Sequence, residues 1–588
     1  MSKMNYYRFL LKYLGMVLFK RATLGKVFEK QVGKRGGADC IRFEDQVVTY
    51  DALNRRANRR AHYLKGLGIG KGDSVALMME NRVEFLETVV ALAKLGGSSA
   101  LINHNLKGAS LAHCVNISEA KQVIVGRECL PNLQEVLGEL STLKPENMLV
   151  DTHWPAEGAI PAGMTDLNAA LEGQPEGNIP HPPLNSKDVV LYIYTSGTTG
   201  LPKAARVNHY RWYAAGLAMG TYGLAVKPED TVHVPLPLYH SNGILIGFGS
   251  AMANGACFSL SRRFSASGFW AEVAKNKATC FIYIGELLRY LVNRPPAPEE
   301  KQHQVTRCLG NGLRPDIWDA FQQRTGIAHI REFYAATEGN AVMINMNDAA
   351  GSIGTPVLKA SDNTAVVRYD VEKDDYPRDA QGFCIRCQPD EVGELLGQIK
   401  ATTPYYGYTS KEASEKKILR DVFKKGDAFF KTGDLVTKDA AGNFYFVDRI
   451  GDTFRWKGEN VSTQEIQELL SSFPGIEIAC VYGVPLPGAE GRVGMGTVVT
   501  GGAPLDGKAL YAYVNEQMPT YAQPAFVRVS GEMDMTGTFK LRKTDLQEQG
   551  YDIGKIKDAV YYLNREAASY EVLDTKAHKK VLEQQITF

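Results

Sequence analysis

Thr195, Ser196, Gly197, Thr198, Thr199 and Gly200 form an unbroken run of hydroxyl-bearing residues and glycines, and Lys203 follows after Leu201 and Pro202. Glycines let backbone N–H groups turn toward an anion, hydroxyls add donors, and a lysine adds a full positive charge. That chemistry suits the phosphates of a nucleotide. The spacing Gly197-Thr-Thr-Gly200-Leu-Pro-Lys203 does not fit G-x-x-x-x-G-K-[ST], and Ala204 follows the lysine, which disfavours an ordinary P-loop ATPase. A polar turn would be the bland alternative. It poorly explains a run of this composition fed directly by the apolar strand pattern Val189–Tyr194.

Further chemistry-bearing clusters lie downstream: Tyr239-His240, Gly310-Asn311-Gly312, Tyr334-Ala-Ala-Thr337-Glu338, Lys431-Thr-Gly-Asp434, Asp448-Arg449 and Lys540-Leu-Arg-Lys543. Each has a plain reading in isolation. Glu338 would be a surface carboxylate near a helix start, Asp434 a turn residue, and Arg449 an ion-pair partner. His240 would be structural, and Lys540 one of three cations on a solvated face.

The elements that must hold these clusters alternate in type. Strand patterns lie at 40–43, 47–49, 73–79 and 122–125, with helical patterns over Tyr50–Gly66 and 81–95 between them. Residues 153–187 read as a surface loop. Asn208 caps a helix running through Gly216. Strands at 231–235, 278–284, 305–309 and 331–334 follow, with a Gly-rich apolar helix at 243–253 whose small residues leave room for an alkyl chain. Several strands end in loops carrying polar groups, and ligands bind at strand carboxyl ends in open α/β sheets. Residues 350–451 are richer in strands and turns, with a hairpin turn at Asp439–Asn443. Ser462 opens a helix with Glu465 in capping-box position. Strands at 478–482, 496–499 and 526–529 and a helix over Gly507–Gln517 complete a small α+β unit. The expected fold is multi-domain α/β. A basic amphipathic segment spans 1–37, a large layered domain with a β-rich subdomain spans 38–451, and a smaller α+β domain spans 452–588.

The whole chain fits an ordinary soluble composition: 588 residues, 44% hydrophobic, 22% charged and a formal net charge of +2, with nothing to suggest nucleic acid. The nine cysteines are dispersed, which fits a reducing compartment, and Cys384-Ile-Arg-Cys387 reads as strand rather than metal site. The N-terminus is a local anomaly. Lys3, Arg8, Lys12, Lys20, Arg21 and Lys26 precede the first acid, Glu29, with apolar residues interleaved. No run approaches the ~20 residues of a spanning helix. Two readings stay open. The segment is a basic amphipathic helix on an anionic membrane surface, or it is a helix packed on the body with its charges in water.

Taken in order, these motifs resemble the adenylate-forming superfamily of acyl-CoA synthetases, peptide-synthetase adenylation domains and luciferases. Within it, the stretches Asp448–Ser462 and Thr536–Lys540 are similar to the fatty acid transport protein group of very-long-chain acyl-CoA synthetases. The resemblance covers roughly residues 38 to 588. It implies that a carboxylate attacks the α-phosphorus of ATP with loss of pyrophosphate, and that the thiol of CoA then takes the acyl group. It implies that the loop from Thr195 to Lys203 holds the β- and γ-phosphates and that Glu338 binds Mg²⁺. Tyr334 and Gly310-Asn311-Gly312 would flank adenine, Thr337 would contact the α-phosphate, and Asp434 and Arg449 would take the ribose. Lys540 would bridge the carboxylate and the α-phosphate, and His240 would gate the carboxylate pocket. Gly451 stands where the wider superfamily often has Asp or Lys, and would act as the hinge on which the small domain rotates. Gly458 would line the pantetheine channel.

The resulting expectation is a cytoplasmic long- or very-long-chain fatty acid–CoA ligase, peripheral on the inner face of a membrane. A homodimer is compatible with the sequence. Rival readings are a ligase for a bile-acid-like or carnitine-like acid, one that loads a carrier protein, and an uptake protein working by vectorial acylation.

Overall fold

In a computed structural model of the chain, the described residues are 3–588 apart from 20, 156–157, 196–200, 359–361, 372, 458, 490 and 534–542; the side chains of 19, 316 and 544 are likewise left out. The chain forms two compact units. The first comprises Met1–Asp362 and Lys400–Lys417, the second Asn363–Ile399 and Ile418–Phe588.

Seven strands of the first unit form one sheet, in the spatial order 165–166, 148–151, 120–126, 74–78, 98–101, 189–195 and 203–208. All its pairings are parallel except the last, an antiparallel hairpin in which Thr195 faces Lys203. Helices pack this sheet as the apolar patterning dictates. Tyr50–Gly66 is capped by the Thr49 hydroxyl, which accepts from Ala52 N at 3.2 Å, and buries Leu53, Ala57, Ala61 and Leu64. Val83–Leu95 is buried along its length and stops at Gly96, whose φ of 76° only glycine adopts cheaply. Its buried Glu87 pairs with Arg60 at 2.9 Å, and Arg60 reaches Asp151 at 2.8 Å. Burial opposes ionisation of Asp151, but Arg60 and Arg82 outweigh it and hold the carboxyl below the usual range.

A second sheet of the same unit runs 352–356, 342–344, 329–335, 307–311, 280–284, 231–234, 257–260, 39–43 and 46–49. From 329–335 through 39–43 the pairing is parallel. Two π-helical stretches, Gly216–Gly223 and Asn242–Phe248, pack beside it. Their glycines are taken up by close approach. A Cβ on Gly216 would sit 2.4 Å from Gly249 O, and one on Gly247 would sit 2.5 Å from Val234 Cγ2. At Gly216 and Gly249 two backbones come together, and at Gly247 the space of a Cβ is taken by the Val234 side chain.

Two local expectations are corrected here. Residues 153–187 carry a strand at Thr165–Asp166 and a helix at Leu167–Ala170, so they are not a bare loop. The N-terminal segment is packed on the body, as the second of its two readings has it: helices Lys3–Phe19 and Leu24–Arg35 lie in the first unit, with Phe9, Met16, Leu24 and Phe28 buried. Its charges are not simply in water, because Arg8 donates to Asn254 at 3.2 Å and Lys12 to the same Oδ1 at 2.9 Å.

In the second unit, strands 364–367, 393–398, 428–438 and 444–449 pair antiparallel, with 418–420 on the edge of 428–438. A short ribbon, 454–456 with 459–461, precedes a sheet ordered 478–485, 492–499, 526–529, 559–564 and 569–572. Helices Thr463–Ser471, Gly507–Gln517 and Thr575–Leu582 bury Leu470, Leu510 and Val581 in the apolar cluster around that sheet. Residue 451, the expected domain boundary, lies within this unit. All nine cysteines are free.

Candidate active site

The loop expected to grip phosphate joins two strands that pair antiparallel. Strand Val189–Thr195 delivers Thr195, and the returning strand Lys203–Asn208 begins at Lys203, its register partner. Ser196, Gly197, Thr198, Thr199 and Gly200 lie outside the described residues, as do Gly458 and Lys540. The far edge of the returning strand is extended by residues 407–409. Arg206 N donates to Gly407 O at 3.2 Å and Thr409 N to Ala204 O at 3.0 Å. This brings the Tyr408 ring to 5.8 Å from Lys203 Nζ.

The strand His329–Ala335 ends at the loop carrying Thr337 and Glu338, both partly exposed. Three contacts fix that loop. Tyr408 donates to Glu338 Oε1 at 2.6 Å, and the Thr337 and Ser241 hydroxyls are 2.6 Å apart. Arg211 donates to the carbonyls of Ala336 at 2.7 Å, Glu338 at 3.3 Å, and Gly339. The Arg211 side chain is partly buried, and desolvation pulls it down to about 10 against the opposing charge of Glu338. It remains a cation at neutral pH, close behind the carboxylate. Burial, and then Glu338, push the Tyr408 phenol well up, so it stays a donor.

Gly310-Asn311-Gly312 closes the neighbouring strand Arg307–Asn311. A Cβ on Gly310 would sit 2.3 Å from Tyr283 O, so no larger residue fits. Asn242 donates to Asn311 Oδ1 at 2.9 Å. Beneath the turn, the buried Glu332 carboxylate accepts from Gly312 N at 2.8 Å, Leu313 N at 3.2 Å and Tyr283 Oη at 2.6 Å. Burial pushes this carboxyl up to about 8 despite those donors. Tyr334, on the adjacent strand, pairs with Met343 and is partly exposed. His240 lies on the loop before the second π-helical stretch, its ring 4.5 Å from that of Tyr239, and its carbonyl accepts from Gly243 N and Ile244 N at 3.1 Å each.

The second unit brings together its own pair of expected residues. Asp434 and Arg449 are register partners, with Arg449 Nε 3.8 Å from Asp434 Oδ1. Gly433, at φ 80°, lets the strand bend there, and its N–H donates to Glu394 at 2.9 Å. Asp448 points inward and accepts from Thr463 N at 2.6 Å and Thr453 Oγ1 at 3.1 Å. Gly451 lies in the turn that follows, exposed. The next residue, Asp452, takes Lys543 at 3.1 Å, and the same ammonium reaches Thr463 Oγ1 at 3.0 Å.

Arg211, Ser241, Asn242, Glu332 and Tyr408 were not singled out from the sequence. The aromatic run Tyr405-Tyr-Gly-Tyr408 was a usable signal for the last of these. Among the described residues no group of three or more His, Cys, Asp or Glu side chains could hold a metal. Glu338 alone fits Mg²⁺, which takes one or two carboxylates and completes its shell with water and phosphate oxygens.

A layered α/β unit whose strand-end loops present hydroxyls, a lysine and a carboxylate, followed by a smaller α+β unit, defines a nucleotide-dependent enzyme class. The chain belongs to the AMP-binding enzyme family, which matches residues 28–403, with the family's C-terminal domain matching 465–540. It is 39% identical over 570 residues to long-chain fatty acid transport protein 2 of Rattus norvegicus, covering 95% of this chain and 91% of that one. It is 39% identical over 551 residues to the medium/long-chain-fatty-acid–CoA ligase FadD6 of Mycobacterium tuberculosis, covering 92% and 88%. The fold is that of the anthranilate CoA ligase AuaEII in complex with anthranoyl-AMP, at TM-score 0.78, 20% identity, and coverage of 91% of this chain and 99% of that one.

Proposed function

We propose that the protein is an ATP-dependent, AMP-forming ligase that joins long- or very-long-chain fatty acids to CoA. The observation that carries this reading is the near full-length similarity to FadD6, named a medium/long-chain-fatty-acid–CoA ligase. The loop fixed by Arg211, Ser241 and Tyr408 supports it, because it holds Thr337 and Glu338 in place before substrate arrives.

Both substrates of the first step are anions, so charge must be neutralised before they react. Thr195, Ser196, Gly197, Thr198, Thr199, Gly200 and Lys203 would hold the outer phosphates. Glu338 would hold Mg²⁺, which when bound neutralises phosphate charge. Thr337 would donate to the α-phosphate, while Tyr334 and Gly310-Asn311-Gly312 would flank adenine. Asp434 would accept from the ribose hydroxyls and Arg449 would donate to the ribose. Lys540 would stabilise charge at the reacting carboxylate and α-phosphate, with His240 at the carboxylate pocket. For the second step, residues 452–588 would rotate about Gly451 and bring Gly458 to the pantetheine arm of CoA. Glycine tolerates the φ/ψ change that a hinge demands. We place this activity in the cytoplasm, against the inner face of a membrane.

The test is ATP–pyrophosphate exchange and acyl-CoA formation over fatty acids of graded chain length. Activity that rises with chain length supports the reading. Preference for a bile-acid-like or carnitine-like acid, or acyl transfer to a carrier protein in place of CoA, would replace it.

A further inference from the structure

Glu332 and Tyr334 lie two positions apart on strand His329–Ala335, so their side chains leave the same face of the sheet, about 6.6 Å apart along the strand. Tyr334 is partly exposed, whereas Glu332 is 2% exposed. Glu332 is the register partner of Gly310, where the neighbouring strand runs into its turn. The Glu332 carboxyl reaches under that turn: the Gly312 N–H donates to Oε2 at 2.8 Å and the Leu313 N–H to Oε1 at 3.2 Å.

The turn is closed beneath and open above. Gly312 takes φ 79°, in the left-handed region that favours glycine, and is exposed; a Cβ on it would meet open space. Its carbonyl backs onto Gly285, where a Cβ would sit 1.7 Å away, and Leu313 is buried. The carboxyl keeps its grip in either charge state. Tyr283 Oη stands 2.6 Å from Glu332 Oε1 and 3.1 Å from Arg331 O. A charged carboxylate accepts from the phenol. A neutral carboxyl donates to the phenol oxygen, and the phenol then donates to Arg331 O. Oε2 accepts from Gly312 N in both states.

We infer that Glu332 is a positioning residue for adenine: by fixing Gly312 N and Leu313 N, it sets the width of the slot between the Gly310–Gly312 turn and Tyr334. The inference rests on the adenine placement proposed above. Glu332 acts through the turn and lies beneath it, so it touches no nucleotide itself. Without its carboxyl, two backbone N–H groups lose their buried acceptor, and the turn must shift to recover one from water. Lys203, proposed for the outer phosphates, lies on the other sheet of the unit. Loss of Glu332 should therefore weaken recognition of the base and spare recognition of phosphate.

Calorimetric binding of AMP and of inorganic tripolyphosphate to the full-length protein tests this. Glu332→Leu removes every acceptor at similar volume. It should raise the Kd for AMP about tenfold or more and leave that for tripolyphosphate within about twofold of wild type. In ATP–pyrophosphate exchange the same variant should raise KM for ATP with kcat little changed. Glu332→Gln keeps an oxygen for Gly312 N and should hold AMP affinity within about threefold of wild type. Where Glu332→Leu does not fold, Glu332→Asp, one methylene short of the turn, takes its place with the same expectation. AMP binding equal to wild type, or equal weakening of AMP and tripolyphosphate, would overturn the inference and leave the ligase reading standing. A wild type that binds no AMP would remove the adenine placement itself, and the inference with it.

Discussion

The Tyr408 phenol donates to Glu338 Oε1 at 2.6 Å, and the same ring lies 5.8 Å from Lys203 Nζ. One aromatic side chain thus touches the carboxylate proposed for Mg²⁺ and neighbours the lysine proposed for phosphate. Hydrogen bonds to charged groups contribute about 1.5–3 kcal/mol. Tyr408→Phe keeps the ring and loses the bond. It should raise the Mg²⁺ concentration for half-maximal activity and lower kcat/KM for ATP by about tenfold or more. Magnesium titration of the exchange reaction reads this; an unaltered midpoint would detach Tyr408 from the metal site.

Arg211 donates to the turn carbonyls of Ala336, Glu338 and Gly339 through one planar fork, which an ammonium cannot reproduce. Arg211→Lys should therefore cost about 10- to 100-fold in kcat/KM for ATP. Because the side chain is partly buried, thermal denaturation must accompany the kinetics. A fall in activity that merely tracks the loss of folded protein would make Arg211 a stability residue alone.

Glu332 sets a pH dependence whose sign can be worked out. The unfolded carboxyl releases its proton near 4.5, and the folded one near 8. Between those values the folded chain binds more protons, so this group's contribution makes stability fall as pH rises. Buried His233 and His209 act oppositely, pulled by burial from 6.5 to about 3 and about 4. Below 6.5 the unfolded chain binds more protons, and their contribution is lost as pH falls. Glu332→Gln should flatten the decline toward pH 8 and leave the acid limb intact, as urea midpoints across pH would register. Equal slopes in variant and wild type would refute the assignment.

The two lysines of the 540–543 stretch should separate cleanly. Lys540→Ala should reduce adenylation on the order of 10²–10³-fold, the usual loss when a group stabilising transition-state charge is removed. Lys543 is held by Asp452 and Thr463, so Lys543→Ala should chiefly lower stability and disturb the step proposed to turn about Gly451. Single-turnover measurements of acyl-adenylate and of thioester distinguish these. Full adenylation by Lys540→Ala would reassign the catalytic lysine.

Elements with strong local patterns were legible in the sequence. Tyr50–Gly66, Gly507–Gln517 and Phe526–Val529 begin and end where apolar periodicity and caps place them. The returning strand Lys203–Asn208 was not, because Lys-Ala-Ala-Arg-Val-Asn carries little β-branched character. Its strand geometry comes from its pairing with Val189–Thr195 and with residues 407–409. The π-helical stretches escaped for a similar reason: their winding answers to glycine contacts across helices. Motif residues such as Thr337, Asp434 and Arg449 stood out by their type and order. Those that hold them act on backbone atoms or from far along the chain, as Arg211 does on Ala336 across 125 positions and Ser241 on Thr337 across 96. No local pattern encodes such contacts.

The first unit is not made in one stretch, because Lys400–Lys417 belongs to it while residues 363–399, made just before, belong to the other. Glu338 leaves the ribosome 70 residues before Tyr408. At translation speeds of about 5–20 residues per second, that is a wait of roughly 4 to 14 s. Throughout it the outer edge of strand Lys203–Asn208 has no pairing from residues 407–409, and bare strand edges invite association with other chains. A nascent chain cut at Asp362 would carry Thr337 and Glu338 but neither Tyr408 nor that edge cover. Quality control would meet it as an unfinished fold that already holds most of the residues proposed for the phosphates.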